Sequence, residues 1–369
     1  MQPRLMAYVS CLYSQEVLAF EFDAASGKPR LAQSQIVGGA AGPMALSPDQ
    51  RTLYVGLRSE PYRVASLAID AQSGRLTVLG EAPAAGSMPY LSVDRTGRFL
   101  LTVTNPWHGP QGLGSQISVS AIVTKAGNGV VQAPHQVLPM RKKAHCVWAT
   151  PSNRHVYATS CDEDVIVCHA FDAETGRLSE DSATYDVEQG AGPRHMTFHP
   201  NGRFLYLLNE YDGSLYAFAH DAQSGRLDRL QICSVWSRPA PGKSVRASDI
   251  HVTPDGRFLY AAERCSNTLA AFSIDAASGR LTFIASYPAE NEPRGFHMDP
   301  TGRYVFVVGR LSDGVTVYAI DAASGALTVV ARQPVAPAPP AQGFTDLPPM
   351  KPEECGVRGP NWVEFVRLG

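Results

Sequence analysis

Gly192-Pro193-Arg194-His195-Met196-Thr197-Phe198-His199, then Pro200-Asn201-Gly202-Arg203, then Phe204-Leu205-Tyr206-Leu207-Leu208-Asn209-Glu210, is the stretch whose pattern decides the fold. Two apolar and aromatic runs flank a tight turn, and a third, Ser214-Leu215-Tyr216-Ala217-Phe218-Ala219-His220, follows after a short break. Runs of β-branched and aromatic residues bounded by Gly, Pro and Asn read as hairpin-connected strands. The turn Asp221-Ala222-Gln223-Ser224-Gly225 then leads into a fourth run from Leu227. One antiparallel four-stranded unit thus occupies about fifty residues, the size of a propeller blade.

The unit recurs along the chain. Asp-Ala-x-Ser/Thr-Gly begins at Asp23, Asp70, Asp172, Asp221, Asp275 and Asp321, with one long interval of 102 residues after Asp70. That interval hides a worn copy near Ala126-Gly127-Asn128-Gly129, which makes seven units. A second marker interleaves with the first, at Pro48-Asp49-Gln50-Arg51, Arg95-Thr96-Gly97-Arg98, Pro151-Ser152-Asn153-Arg154, Pro200-Asn201-Gly202-Arg203, Pro254-Asp255-Gly256-Arg257 and Pro300-Thr301-Gly302-Arg303. Repetition without helical periodicity predicts an all-β, seven-bladed β-propeller of four-stranded antiparallel blades. A WD40 repeat is disfavoured, because the chain contains no Trp-Asp or Gly-His dipeptide.

The chain ends suggest how the ring closes. Gly359-Pro360-Asn361-Trp362-Val363 resembles an innermost strand without its hairpin, and Met6-Ala7-Tyr8-Val9-Ser10 resembles the second strand Leu53-Tyr54-Val55-Gly56. The seventh blade should therefore pair the C-terminal inner strand with the N-terminal strand, leaving no free seam. Units that share faces form one body, so residues 1–369 are expected as a single propeller domain. The Pro-rich stretch from Gln333 to Pro352 is then a connection back to the inner strand.

Bulk composition removes several function classes. Lys+Arg 32 against Asp+Glu 34 leaves a net charge of -2, too balanced for nucleic acid or an acidic membrane surface to be the main partner. The seven cysteines are scattered, with no C-x-x-C pair, so neither a disulfide framework nor a structural zinc site is indicated. A reducing compartment fits best. With no sustained apolar N-terminal run and no long apolar span, the chain reads as cytoplasmic and without membrane contact. A closed ring is self-sufficient, so a monomer is expected.

Register turns the repeats into a candidate site. In a propeller the innermost strands line a central channel, so residues at one offset from each turn share one depth. Six residues before the turns stand Gly42, Pro89, His145, Arg194, Ser248 and Arg294, with Asn361 as the seventh by alignment. One step later come Pro43, Tyr90, Cys146, His195, Asp249, Gly295 and Trp362. The second strand runs antiparallel, so its far end returns to the same mouth. There stand Arg58, Asn105, Cys161, Glu210, Arg264 and Arg310, four of them charged although each closes an apolar strand. The candidates are therefore His145, Arg194, His195, Glu210, Asp249, Arg264 and Arg294, with Arg58, Arg310 and Asn105 as outer members. An anionic or carbonyl-rich small molecule fits such a set.

Some residues invite a blander reading. His251 and His297 lie three before their turns, where packing between blades is expected, and His199 reads as a turn-bonding residue. Lys142-Lys143 reads as a solvated loop. No Gly-x-Ser-x-Gly elbow, phosphate-cradling Gly-x-x-x-x-Gly-Lys-Ser/Thr loop or His-Glu-x-x-His occurs, and Gly109, Gly112 and Gly114 lack a strand-then-helix context. No cofactor is expected. A metal held by Glu210, Asp249 and Asn105 is disfavoured by the neighbouring arginines.

The strings Gly-Pro-Arg-His-Met-Thr-Phe-His-Pro-Asn-Gly (192–202), Ser-Asp-Ile-His-Val-Thr-Pro-Asp-Gly-Arg-Phe-Leu-Tyr (248–260), Glu-Pro-Arg-Gly-Phe (292–296) and Gly-Pro-Asn-Trp-Val (359–363) resemble the seven-bladed propeller lactonases. That family includes cycloisomerase-type 6-phosphogluconolactonases and carboxy-muconate lactonizing enzymes. The resemblance spans nearly the whole chain and is weakest from Gly109 to Leu138. It implies functional roles for a His, an Arg, a Glu and a second Arg, which match His145, Arg194, Glu210 and Arg264. Where the family often has Asp-Arg, this chain has Glu263-Arg264.

The expected activity is hydrolysis of a sugar-acid lactone, 6-phosphogluconolactone or an aldonic or aldaric relative. Arginine forks suit a developing oxyanion or a substrate carboxylate or phosphate. Glu210 is assigned as base and His145 as acid, with His195 able to replace either. Two alternatives stay open: a muconate-type lactonizing cycloisomerase, and a non-catalytic propeller that binds ligands or scaffolds proteins.

Overall fold

The computed structural model describes residues 4–105, 114–236, 244–335 and 358–368, which form seven four-stranded antiparallel sheets. Blades 1 to 6 take consecutive strands over 41–83, 90–139, 144–186, 193–234, 247–288 and 293–334. Blade 7 is composite, with Pro360–Leu368 innermost, then Arg4–Cys11, Glu16–Asp23 and Lys28–Ile36. Met6 pairs with Val366 and Tyr8 with Glu364, so the two chain ends share one sheet as their sequences implied. The inner strands touch in ring order, blade 7 lying against both blade 6 and blade 1. The worn unit is a hairpin whose corner residues Ala126 and Gly127 both have positive φ, 49° and 77°. Gly109, Gly112 and most of the Pro-rich connection lie outside the described residues. No helix among the described residues is long and apolar enough to cross a membrane.

The two repeated turn motifs touch each other across blades. Arg203, Arg257 and Arg303, from the Pro-turns, donate to the carbonyls of Ala277, Ala322 and Ala24 in the Asp-Ala turn of the next blade. Tyr157, Tyr206 and Tyr260 donate from the second strand to the carbonyls of Gly225, Gly279 and Gly325 in those same turns. Glycine is required there for two reasons. Gly279 has φ +70°, and a Cβ on it would lie 2.5 Å from the ring of Phe204 in the preceding blade. Asp275 fixes the turn by accepting from the Ser278 amide and hydroxyl at 2.8 and 2.7 Å. His199 has the same bridging role, meeting the Gly256 carbonyl at 3.0 Å.

Apolar side chains fill the wedges between blades. Tyr206, Leu208, Leu259, Ala261 and Phe272 belong to one such cluster, between blades 4 and 5. These side chains point sideways into the neighbouring blade, which leaves only the innermost strand edges and strand ends free to build a site.

Candidate active site

A repeated irregularity presents the candidate residues. Inner strands pair with their neighbours in register except near the mouth, where a bulge falls between Ala41 and Met44, Ala144 and Val147, Pro193 and His195, Ala247 and Ile250, and Pro293 and Gly295. A bulge breaks the strict alternation of side chains and re-aims them. Consecutive residues such as Arg194 and His195, or Ser248 and Asp249, can therefore both serve one pit.

The first group is ionic. Glu210 receives Arg264 Nη2 on Oε1 at 2.9 Å, and Arg194 Nε lies 3.3 Å from Oε2. All three are buried, Arg194 to 1% exposure. Burial pushes the Glu210 carboxyl up, but Arg264, Arg194 and Lys143 outweigh it and hold it down at about 2. Burial and the neighbouring Arg264 lower Arg194 to about 10. Arg194 Nε faces Glu210 Oε2 in that ion pair, and Nη1 has no hydrogen-bond partner among the described residues, so the guanidinium keeps a donor for a ligand. Behind it, Glu263 accepts the Arg246, Cys265 and Ser266 amides, so the longer acid beside Arg264 caps the strand end.

The second group is a histidine chain. His195 Nδ1 lies 2.8 Å from Asp249 Oδ1, and His251 Nε2 lies 3.2 Å from Asp249 Oδ2. The amides of Ile250 and Phe296 also donate to Asp249, fixing the carboxylate in place. His195 Nε2 is buried without a hydrogen-bond partner among the described residues. Tyr90 packs edge-on to His195 and to Trp362, both at 5.0 Å between ring centres, and His145 lies 5.1 Å from His195. Residues from blades 2, 3, 4 and 7 thus meet across the axis and form an aromatic floor. Burial and Arg194 depress His195 to about 3 despite Asp249. Burial, Arg194 and His195 drive His145 well below the usual histidine range.

The outer candidates divide. Arg58 packs its stem where Gly42 has no side chain and donates from Nε to Ser87 Oγ at 3.2 Å. Arg294 makes no hydrogen bond or ion pair among the described residues, yet its charge acts on His145, His195 and Glu292. Arg310 is paired with Glu292 and with the Tyr13 hydroxyl. Asn105 is buried beside Ser87, whose carbonyl accepts its backbone N–H at 2.9 Å, and no hydrogen bond among the described residues joins it to either charged group.

Five contributors escaped the candidate set. Tyr90 and Trp362 share the register of His195 and Asp249, a signal passed over because neither is charged. Lys143 is half-buried, with Nζ 2.5 Å from the Tyr211 hydroxyl and 4.0 Å from Glu210, so the expected solvated loop reaches the site. His251 packs between blades as expected, 4.9 Å from the ring of Phe296 and 4.5 Å from that of His297, and also bonds Asp249. Glu364 stands at the register of His251 and His297, accepts Trp362 Nε1 at 2.9 Å, and is pushed up to about 7 by burial.

The sequence matches the family described as "Lactonase, 7-bladed beta-propeller" over residues 6–342. The chain belongs to that family. This lactonase is 39% identical over 293 residues to a 6-phosphogluconolactonase of Pectobacterium carotovorum, covering 79% of this chain and 83% of that one. It is 35% identical to a 6-phosphogluconolactonase of Yersinia pestis over 78% of its length and 82% of the relative's. Among solved structures, a periplasmic gluconolactonase of Pseudomonas aeruginosa superposes with TM-score 0.80 at 27% identity, covering 99% of the lactonase and 100% of the neighbour.

Proposed function

We propose that this lactonase hydrolyses a sugar-acid lactone, 6-phosphogluconolactone in the first instance, with His195 as the base. The observation that carries the reading is His195 itself. Its Nδ1 is tied to Asp249, its Nε2 has no partner among the described residues, and the spare Nη1 donor of Arg194 stands on the adjacent residue. Asp249 fixes the tautomer that leaves Nε2 able to accept a proton, the orienting role a carboxylate has beside a catalytic histidine.

Water attacks the lactone carbonyl carbon while its proton passes to His195 Nε2. Charge gathers on the carbonyl oxygen, where Arg194 donates. The ring C–O bond then breaks, and the leaving alkoxide takes the proton back from His195. Net, one water is added and the free acid ionises. His145, neutral beside His195, offers a hydrogen bond to the departing oxygen. Glu210 is a poorer base, because its oxygens face guanidiniums and its carboxyl sits at about 2. It holds Arg194 and Arg264 in place. The depression of His195 comes from burial and from the Arg194 and Arg294 charges. A bound anion offsets Arg194 and Arg294 and raises the basicity of the imidazole.

The substrate itself is supported by the two curated relatives. The six described cysteines are unpaired, which suits a reducing cytoplasm, and the closed ring needs no second copy. A pH-stat assay with 6-phosphogluconolactone, glucono-1,5-lactone and galactaro-lactone tests the reading. Acid release well above the spontaneous rate supports it. Spontaneous rates with all three would overturn it.

A further inference from the structure

We infer that Arg58 and Arg294 form the seat for a dianionic tail, the phosphate of the substrate, on the blade 6 to blade 1 side of the mouth. The inference rests on the lactonase reading above and assigns an orientation within it.

Charge pairing singles out these two residues. Glu210 serves Arg194, Arg264 and Lys143, Glu292 serves Arg310, and Asp249 serves His195 and His251. No carboxylate among the described residues pairs with Arg58 or Arg294. Among the described residues the hydrogen bond of the Arg58 side chain goes to a neutral Ser87 hydroxyl, and Arg294 has no hydrogen-bond partner. Their blades, 1 and 6, straddle blade 7, whereas His145, Arg194 and Glu210 belong to blades 3 and 4 across the ring. Both charges act on His145, so a molecule spanning the mouth can meet both poles. Burial and the guanidiniums of Arg194, Arg264, Arg58 and Arg310 all disfavour the charge on Arg294. A fold keeps unpaired cations in such a place at a cost in stability, and an incoming anion relieves it.

Two unpaired guanidiniums match a phosphate, which carries about −1.5 to −2 near neutral pH. Arginine forks bind its oxygens two at a time. With the phosphate between Arg58 and Arg294, the other end of the sugar lies toward His195. Lys142 and Arg310 are not needed for the tail: Lys142 sits on the rim of blade 3, and Arg310 is already matched by Glu292.

The test compares wild type, Arg294→Met, Arg58→Met and Arg294→Lys, each as the full chain. The readout is the ratio of kcat/KM for 6-phosphogluconolactone to that for glucono-1,5-lactone, with a dicarboxylic lactone as a third arm. Loss of a charge-assisted contact should lower the ratio about 10- to 100-fold, mainly through KM. Arg294→Lys should recover part of it, keeping the charge without the fork. Equal losses on all three lactones would overturn the seat while leaving hydrolysis standing. A larger loss on the dicarboxylic lactone than on the phosphorylated one would overturn the phosphate assignment. If wild type hydrolyses none of them, the lactonase reading fails, and calorimetry with inorganic phosphate still decides the seat. Binding to wild type that disappears in the Arg58/Arg294 double variant supports it, and equal binding sinks it. Circular dichroism of each variant separates misfolding from a lost contact.

Discussion

At the residue scale, the chemistry depends on which buried groups keep a free valence. His195 is tied on one nitrogen and open on the other, whereas Glu210 is engaged on both oxygens. His195→Gln should lower kcat about 10²- to 10⁴-fold, the usual range for a lost general base. Because kcat/KM reports the free enzyme, its acid limb should fall below pH ~5, well under that of an ordinary histidine near 6.5. The sign follows from the depressed His195, which stays an unprotonated base until the pH approaches its lowered value of about 3. Loss of this limb in His195→Gln and its retention in Glu210→Gln would identify the base. The reverse pattern would return the role to Glu210. Glu210→Gln carries a second expectation, since it strands two buried guanidiniums. Denaturant titration should show a loss of about 3–5 kcal/mol, the cost of breaking a buried pair from one side.

At the element scale, the two turn motifs and the inner-strand bulges do different work. The turns lock blades together, as between blades 5 and 6, where Arg257 of one turn and Tyr260 of the strand after it donate to the Ala322 and Gly325 carbonyls of the other turn. Both motifs were legible as markers in the sequence, but their contact was not. The partners in these two bonds are 65 residues apart, and hydrogen bonds of that separation have no local signature. Gly279→Ala should destabilise by about 2–4 kcal/mol, combining a left-handed φ with a clash against Phe204. A urea midpoint that falls with an unchanged slope would register that loss as stability alone. The bulges were wholly hidden. Register counting assigned Arg194 and His195 to successive rings, and only the skipped pairing between Pro193 and His195 explains why both reach the pit.

For the whole molecule, the channel cross-section sets the pH response. His195 and His297, depressed to about 3 and about 4, must take up protons on unfolding. Their contribution is therefore complete above pH ~6.5 and is lost as the pH falls toward those values. Glu364, raised to about 7, works the other way. It stabilises while protonated, and that contribution is lost as the pH rises from ~4.5 through its folded value. Glu364→Gln should accordingly gain in Tm relative to wild type between pH 5 and pH 8, and a flat difference would show that Glu364 does not titrate on folding. What the sequence determined alone was periodicity: blade number, the composite seventh blade and the depth at which each inner-strand residue lies, since strands repeat their geometry at fixed offsets. What only the tertiary structure decided was pairing. Which of five arginines is neutralised by Glu210 or Glu292, and which histidine reaches Asp249, depends on side chains from blades far apart in the chain. In a buried, low-dielectric mouth those few ångströms, and not the residue types, decide which charges remain for a ligand.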